Sequence, residues 1–258
     1  MATIYISIVS HNNESDLIKN EELIKIGNLP NVTILLRDNV GNCQLKKFSL
    51  KNGFHYSESA IPLGFGENNN KNFSIALKHG IKPADWFITM NPDVVISCDM
   101  INKLTNILST NSMNLFAINL FSDEKLTRSE LSIRKFPSNK SLLNLIRRLP
   151  VTDAYNKAEL RHLDNVDWAA GSFLIFRCSL YDELNGFDQN YFMYYEDVDI
   201  CFRANNLLSE PVIYLKEIKA FHIGGYQNRN IFSKHFRWYL ISLIRFLVKQ
   251  TKHRLIKR

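Results

Sequence analysis

Through the first hundred residues, short apolar runs stop at polar clusters, with helix-like stretches between them. Ile4–Val9 ends at Ser10-His11-Asn12-Asn13, Val32–Leu36 at Arg37-Asp38-Asn39, and Trp86–Met90 at Asn91-Pro92-Asp93. Between these runs, Glu14–Ile26 carries Leu17, Leu23, Ile24 and Ile26 at roughly helical spacing. Cys43–Lys51 also reads as a helix, Phe54–Tyr56 as extended, and Gly64-Phe65-Gly66 leads into a helix through Lys78. Such β-α-β alternation argues for an α/β fold with a mostly parallel, doubly wound central sheet, because parallel neighbours need a crossover connection. Ligands of such sheets bind in the crevice outside the strand carboxyl ends. The three polar clusters sit there.

The second half is less regular. Asp123–Arg161 is rich in charged and polar residues, with one helix expected at Leu142–Leu149, and reads as a mobile segment. Val166–Arg177 is strand-like, Glu196–Asn206 helical, Val212–Leu215 extended, and Phe232–Val248 a final helix. No internal repeat or low-complexity linker divides the chain. The expected organisation is one domain over residues 1–228, with a basic helical C-terminal extension over 229–258. With 258 residues, 45% of them hydrophobic, the chain has ample material for a core.

Several function classes lose their support at this level. There is no G-x-x-x-x-G-K-[ST] loop, no G-x-S-x-G elbow and no H-E-x-x-H. Cys43, Cys98, Cys178 and Cys201 are far apart, so neither zinc-site nor disulfide spacing is present and reduced cytosolic thiols are expected. The segment following Met1 lacks a cationic n-region and a long apolar core, and reads as a strand rather than a secretory signal. The longest apolar stretch, Trp238–Val248, is broken by Ser242 and Arg245 and falls short of the roughly 20 residues of a bilayer span. Of 32 Lys and Arg, ten lie in residues 218–258, where none of the 25 Asp and Glu occur. The body is therefore mildly acidic, which argues against nucleic acid as a partner.

Four features carry chemistry, and each has an ordinary alternative. Glu196-Asp197-Val198-Asp199 puts three acids in four residues, which need a cation, a proton or a helix N-terminus to coexist. The alternative is helix-start chemistry, with Asp199 facing solvent or Arg203 one turn on. Asn91-Pro92-Asp93 and Asp38-Asn39 also suit plain turns. His222, before Gly224-Gly225, also suits a packed histidine.

The order of these features is distinctive. Val9-Ser10-His11-Asn12, Arg37-Asp38-Asn39, Gly64-Phe65-Gly66 with Asn68-Asn69-Asn70, and Asn91-Pro92-Asp93 come first. Trp168-Ala169-Ala170-Gly171-Ser172-Phe173, Asn185-Gly186-Phe187-Asp188 and Tyr191-Phe192-Met193-Tyr194-Tyr195-Glu196-Asp197-Val198-Asp199 follow, with His222 last. From about Ile4 to about Trp238 the chain resembles the inverting glycosyltransferases of family 2, and among them the bacterial rhamnosyltransferases of O-antigen and polysaccharide assembly. The resemblance implies a GT-A fold, a Rossmann-like nucleotide-diphospho-sugar transferase architecture. It implies Asp197 as the general base with Glu196 tuning it, and Asp93 with His222 as ligands of Mg²⁺ or Mn²⁺. Asn91 stands where the family usually has the first acid of an Asp-x-Asp motif. By the same resemblance Asp38 grips the nucleotide and Ser10 lines the base pocket. Gly64 and Gly66 let the chain pass close to the donor, Asn69 bonds sugar or phosphate, and Trp168 lies under the acceptor. The implied reaction moves L-rhamnose from dTDP-L-rhamnose to a polyprenyl-diphosphate-linked saccharide. The alternatives are another nucleotide sugar, such as UDP-galactofuranose, a UDP-N-acetylhexosamine or a different dTDP-sugar, or a non-catalytic nucleotide-sugar-binding protein.

The tail adds an expectation of its own. Phe232, Phe236, Leu240, Leu243, Ile244 and Leu247 recur at helical spacing. Lys234, Arg237, Arg245, Lys249, Lys252, Arg254, Lys257 and Arg258 supply cations. A basic amphipathic helix of this kind suits an anionic membrane surface, here the cytoplasmic face of a bacterial plasma membrane. The alternative is a helix that caps the core with a solvated basic end.

Overall fold

A computed structural model describes residues 2–138, 140–147, 149–224 and 233–256. Phe232, Lys257 and Arg258 of the expected tail, and the boundary expected between 228 and 229, lie outside the described residues. The first half runs β1 (Ile4–Ser10), α1 (Glu14–Lys19), α2 (Glu21–Gly27), β2 (Val32–Asp38), α3 (Cys43–Lys51), β3 (His55–Glu58), α4 (Phe65–Lys78) and β4 (Trp86–Met90). Then come β5 (Val94–Val95), α5 (Cys98–Thr110), β6 (Leu115–Phe121), β7 (Ile133–Arg134), α6 (Lys140–Ile146), β8 (Asn165–Val166), β9 (Trp168–Ala169) and β10 (Phe173–Arg177). The chain closes with α7 (Cys178–Glu183), α8 (Glu196–Leu208), β11 (Val212–His222) and α9 (Lys234–Ile256).

The main sheet has the order β3-β2-β1-β4-β10-β6-β11-β5, with β8 on β11. The first four strands are mutually parallel, as the alternation predicts. β10 then runs antiparallel to both β4 and β6. Alternating side chains of β1 divide between two cores: Ile4, Ile6 and Ile8 pack with Leu17, Leu23, Leu45 and Ile101 on one face. On the other, Tyr5 joins Phe73, Tyr181, Phe187 and Cys201, under α4, α7 and α8.

Local chemistry explains where the elements depart from expectation. The helix expected over Glu14–Ile26 breaks at Asn20, whose side chain accepts the Leu23 N–H and starts α2. The strand expected over Val166–Arg177 is three short pieces. The Asp167 carboxylate accepts the Phe136 N–H and the Tyr155 hydroxyl, drawing β9 across to pair with β7. Within the segment 123–161, one side chain is tied to the main sheet and to Ser132. The Lys157 ammonium is buried, donating to Leu120 O at 3.0 Å and Ser132 Oγ at 2.9 Å. The helix of this segment is Lys140–Ile146 instead of Leu142–Leu149.

The final helix forms, running on to Ile256 rather than ending at Val248, but turns the other way. Leu243, Phe246 and Leu247 are buried against Tyr191, Tyr195, Val198 and Phe202 in a third core. Most of the described part of the stripe expected to face lipid therefore does not: Leu243 and Leu247 are inside, and Phe236 and Leu240 are half-buried. Burying each such side chain contributes about 1.5–3 kcal/mol, and turning that face to an interface would first require unpacking the helix. Ile241, Ile244, Val248 and Leu255 instead face outward, between 45% and 65% exposed.

Candidate active site

The turn after β4 is tied to three other parts of the chain. Asn91 N–H donates to Ser172 O at 2.9 Å. β11 runs antiparallel to β5, bringing His222 opposite Val94. His222 Nε2 lies 3.3 Å from Asp93 Oδ1, and the Gly224 N–H donates to Asp93 Oδ2 at 3.1 Å. On the far side of the ring, Nδ1 lies 3.0 Å from Glu130 Oε2. Burial works against the imidazolium, but the Asp93 and Glu130 carboxylates outweigh it and raise His222 to about 9. Burial also pushes Asp93 up, yet its His222 contacts and backbone N–H donors hold it below the usual carboxylate range.

The acidic pair opens α8. The preceding Tyr194 and Tyr195 have φ of 68° and 66°, two consecutive left-handed residues that are not glycine. Each costs on the order of 1–3 kcal/mol and persists only where the surroundings enforce it. Asp197 Oδ2 accepts the Gly171 N–H at 3.0 Å, and Oδ1 accepts the Val198 N–H at 2.8 Å. Thr89 Oγ1 in turn donates to Gly171 O at 3.1 Å. Burial raises the Asp197 pKa, and the Gly171 and Val198 N–H donors oppose it. Glu196 is raised much further, by burial first and the Asp197 charge second, and its Oε2 is buried without a partner. Burial thus favours the protonated form of Glu196 more strongly than that of Asp197, whose carboxylate sits at a helix N-terminus among N–H donors.

The remaining expected positions divide between the crevice and the interior. Ser10 ends β1 with its Oγ buried and unpartnered, while its carbonyl accepts the Asn39 N–H at 2.9 Å. The fully buried Asp38 carboxylate accepts the N–H groups of Val40, Gly41 and Asn42 and the Tyr56 hydroxyl. It shapes the loop after β2. Asn69 is also fully buried, accepting from Ser7 Oγ at 2.7 Å and donating to Phe65 O at 3.0 Å. A Cβ on Gly64 would come within 2.3 Å of Phe192 O, and one on Gly66 within 2.6 Å of Phe187 Cβ. Both glycines let the loop before α8 close against α4. Trp168 donates from Nε1 to Lys135 O at 2.9 Å, which fixes the ring at the edge of β9.

Two chains of contact thus converge: Asp93 with His222 and Glu130, and Asp197 with Gly171, joined through Ser172 to Asn91. Among the described residues no group of three or more His, Cys, Asp or Glu is arranged as a ready-made metal cage. The donor set nevertheless suits a hard divalent cation completed by substrate, with one carboxylate and one imidazole. Glu130 orients that imidazole from behind, as carboxylates commonly do for metal-binding histidines. Sequence reasoning missed Glu130, which sits in a polar segment with no motif around it. It also missed Lys249, treated as a surface cation. That ammonium lies 2.6 Å from the buried Asp199 Oδ1 and 3.1 Å from Asp188 Oδ2.

No protein-family model matches the sequence. Among curated proteins, the chain is 33% identical over 252 residues to rhamnosyltransferase WbbL of Escherichia coli K12, covering 96% of this chain and 93% of that one. It is also 33% identical over 129 residues to an N-acetylglucosaminyl-diphospho-decaprenol L-rhamnosyltransferase of Mycobacterium tuberculosis, 45% of this chain and 40% of that one. Among solved structures, the mannosyltransferase PcManGT of Pyrobaculum calidifontis, in complex with GDP-Man and Mn²⁺, superposes with a TM-score of 0.56 at 10% identity. That match covers 87% of this chain and 57% of the other.

Proposed function

The chain belongs to glycosyltransferase family 2, with the GT-A fold, among the bacterial polysaccharide rhamnosyltransferases, and from that membership we propose that it transfers L-rhamnose from dTDP-L-rhamnose, with inversion, to a saccharide carried on polyprenyl diphosphate. The observation that carries this reading is the linkage of the two carboxylate sites. Asp197 is one hydrogen bond from Gly171, and its neighbour Ser172 holds Asn91 two residues from Asp93. An in-line displacement needs a base on the acceptor side and charge neutralisation on the leaving diphosphate, at a fixed separation.

In this reading Asp197 takes the proton of the attacking hydroxyl. Glu196 beside it, its acid form favoured by burial and by the Asp197 charge, tunes that carboxylate. Asp93 and His222 would hold Mg²⁺ or Mn²⁺, which when bound neutralises charge growing on the diphosphate. The loop shaped by Asp38, together with Ser10, receives the nucleotide, and Trp168 offers an aromatic edge to the acceptor sugar. Residues 1–228 carry these groups. The outward face of α9 meets the cytoplasmic leaflet, where a lipid-linked acceptor resides. Among the described residues no helix is long and apolar enough to cross a membrane.

Incubation with a panel of nucleotide sugars, divalent metal and a synthetic polyprenyl-diphosphate acceptor tests the reading. Transfer from dTDP-L-rhamnose, giving an α-rhamnoside by NMR, is expected. Turnover with a UDP-sugar alone would replace the donor assignment, and binding without turnover would overturn the catalytic one.

A further inference from the structure

The segment from Asp188 to Asp199, a loop and the first turn of α8, contains both left-handed tyrosines and both candidate catalytic carboxyl groups, and much of its support comes from α9. Ser242 Oγ donates to Met193 O at 3.0 Å, the Tyr195 and Tyr239 hydroxyls are 3.3 Å apart, and Tyr194 OH lies 3.2 Å from His235 Nδ1. Arg245 reaches Asn190 O. Lys249 makes the contact that closes the loop on itself. Its ammonium meets Asp188 at one end and the fully buried Asp199 at the other.

Asp199 is in turn fixed by Arg203 Nε at 2.7 Å, and that guanidinium donates to Leu184 O and Gly186 O. The other end of the loop is anchored to α4, where Asn70 bonds both the N–H and the carbonyl of Phe187. One side chain from the last helix thus ties both ends of a strained segment, two residues from Asp197.

We propose that Lys249 is a positioning residue for the transfer reaction, latching the Asp188–Asp199 loop so that Asp197 is held at the acceptor hydroxyl. The proposal rests on Asp197 being the base. Lys249 itself touches no reacting atom. Its ammonium completes the Asp199 site and draws Asp188 onto the same point. Without it, the two tyrosines lose part of the enforcement that keeps them left-handed. A shift of about 1 Å in a positioned group can cost on the order of 100-fold in rate.

The test compares Lys249→Met, Lys249→Arg and Asp188→Asn in the full chain, with steady-state transfer, donor binding by calorimetry and thermal melting. Lys249→Met is expected to lower kcat by about 10–100-fold with the donor Kd within about twofold of wild type, because the donor side of the crevice is untouched. Lys249→Arg should restore most of kcat by keeping the charge. Asp188→Asn releases one end only and should give an intermediate loss with a near-normal melting temperature. If folded Lys249→Met turns over like wild type, the latch is overturned. If that variant does not fold, Asp188→Asn decides, and an unchanged kcat there overturns it equally. A wild-type enzyme that transfers sugar while Asp197→Asn is fully active would overturn the base assignment instead.

Discussion

The backbone N–H of Gly171 donates to the carboxylate of Asp197 at 3.0 Å, across a gap that a side chain at 171 would crowd. A Cβ there would come 3.1 Å from the Phe65 ring and 3.3 Å from Asp197 Cβ. The strand end that meets the Asn91 turn therefore also aims the candidate base. Asp197→Asn keeps the shape and removes the basicity. Transfer should fall by about 10²–10⁴-fold with donor affinity unchanged, checked by a product assay and calorimetry on the same preparation.

Glu196 carries a pH-dependent cost. Burial raises its folded-state pKa far above the unfolded carboxylate value near 4.3. The folded state therefore binds the extra proton, and this contribution is present below about pH 4 and lost as pH rises. Glu196→Gln fixes the neutral form. Its melting temperature should exceed wild type at pH 8, and the difference should vanish near pH 4. An unchanged difference across that range would mean that Glu196 is not buried as the neutral acid.

Glu130 is expected to matter for metal although it is not itself assigned as a ligand. Glu130→Gln should weaken Mn²⁺-dependent donor binding by about 10–100-fold, while donor binding in chelator stays as it was. Equal donor affinity with and without metal in the wild type would remove Asp93 and His222 from the metal role.

Without metal, the charged His222 between Asp93 and Glu130 stabilises the fold. Its pKa is raised to about 9, so the contribution is complete below the unfolded histidine value near 6.5 and lost as pH climbs through 9. Urea unfolding in chelator from pH 6 to 10 should show that loss, and Glu130→Gln should flatten it.

The outward face of α9 supplies the membrane test. Ile241, Ile244, Val248 and Leu255 share that face with the exposed Lys234, Arg237, Arg245 and Lys252, and α9 contains no acid. Ile241→Ser with Val248→Ser should abolish flotation on anionic vesicles while leaving melting unchanged, since neither side chain is in the core. Charge reversal at Lys234, Arg237 and Lys252 removes about 1 kcal/mol each, and its effect should shrink in high salt. Lys249 does not belong in such a set, because its ammonium is paired with Asp188 and the buried Asp199.

Sequence alone reached the order of the chemistry. Runs that end in Ser10, Asp38 and Asn91 need only a strand period and a polar stop, and the parallel half of the sheet follows from them. The Glu196-Asp197 pair and the Asp93 turn are contiguous in the chain, so their local spacing survives any tertiary arrangement. Buried β6 was not anticipated, and it has no polar alternation to mark it. The glycines at 64 and 66 were legible as close approaches, but what approaches is Phe192 and Phe187, more than a hundred residues away.

Tertiary structure decided which partner each group meets. Periodicity tells which residues of α9 share a face, yet the helix has two apolar stripes, and only packing on Phe202 and Tyr191 selects Leu243, Phe246 and Leu247 as the inner one. The same choice carries Lys249 to Asp199 and leaves Ile241 and Val248 outside. Glu130 and His222 are separated by 92 residues, and no local signal joins them. A charged side chain discloses its sign in the sequence, but its role depends on the opposite charge that the fold brings within about 3 Å, where burial makes the pairing strong.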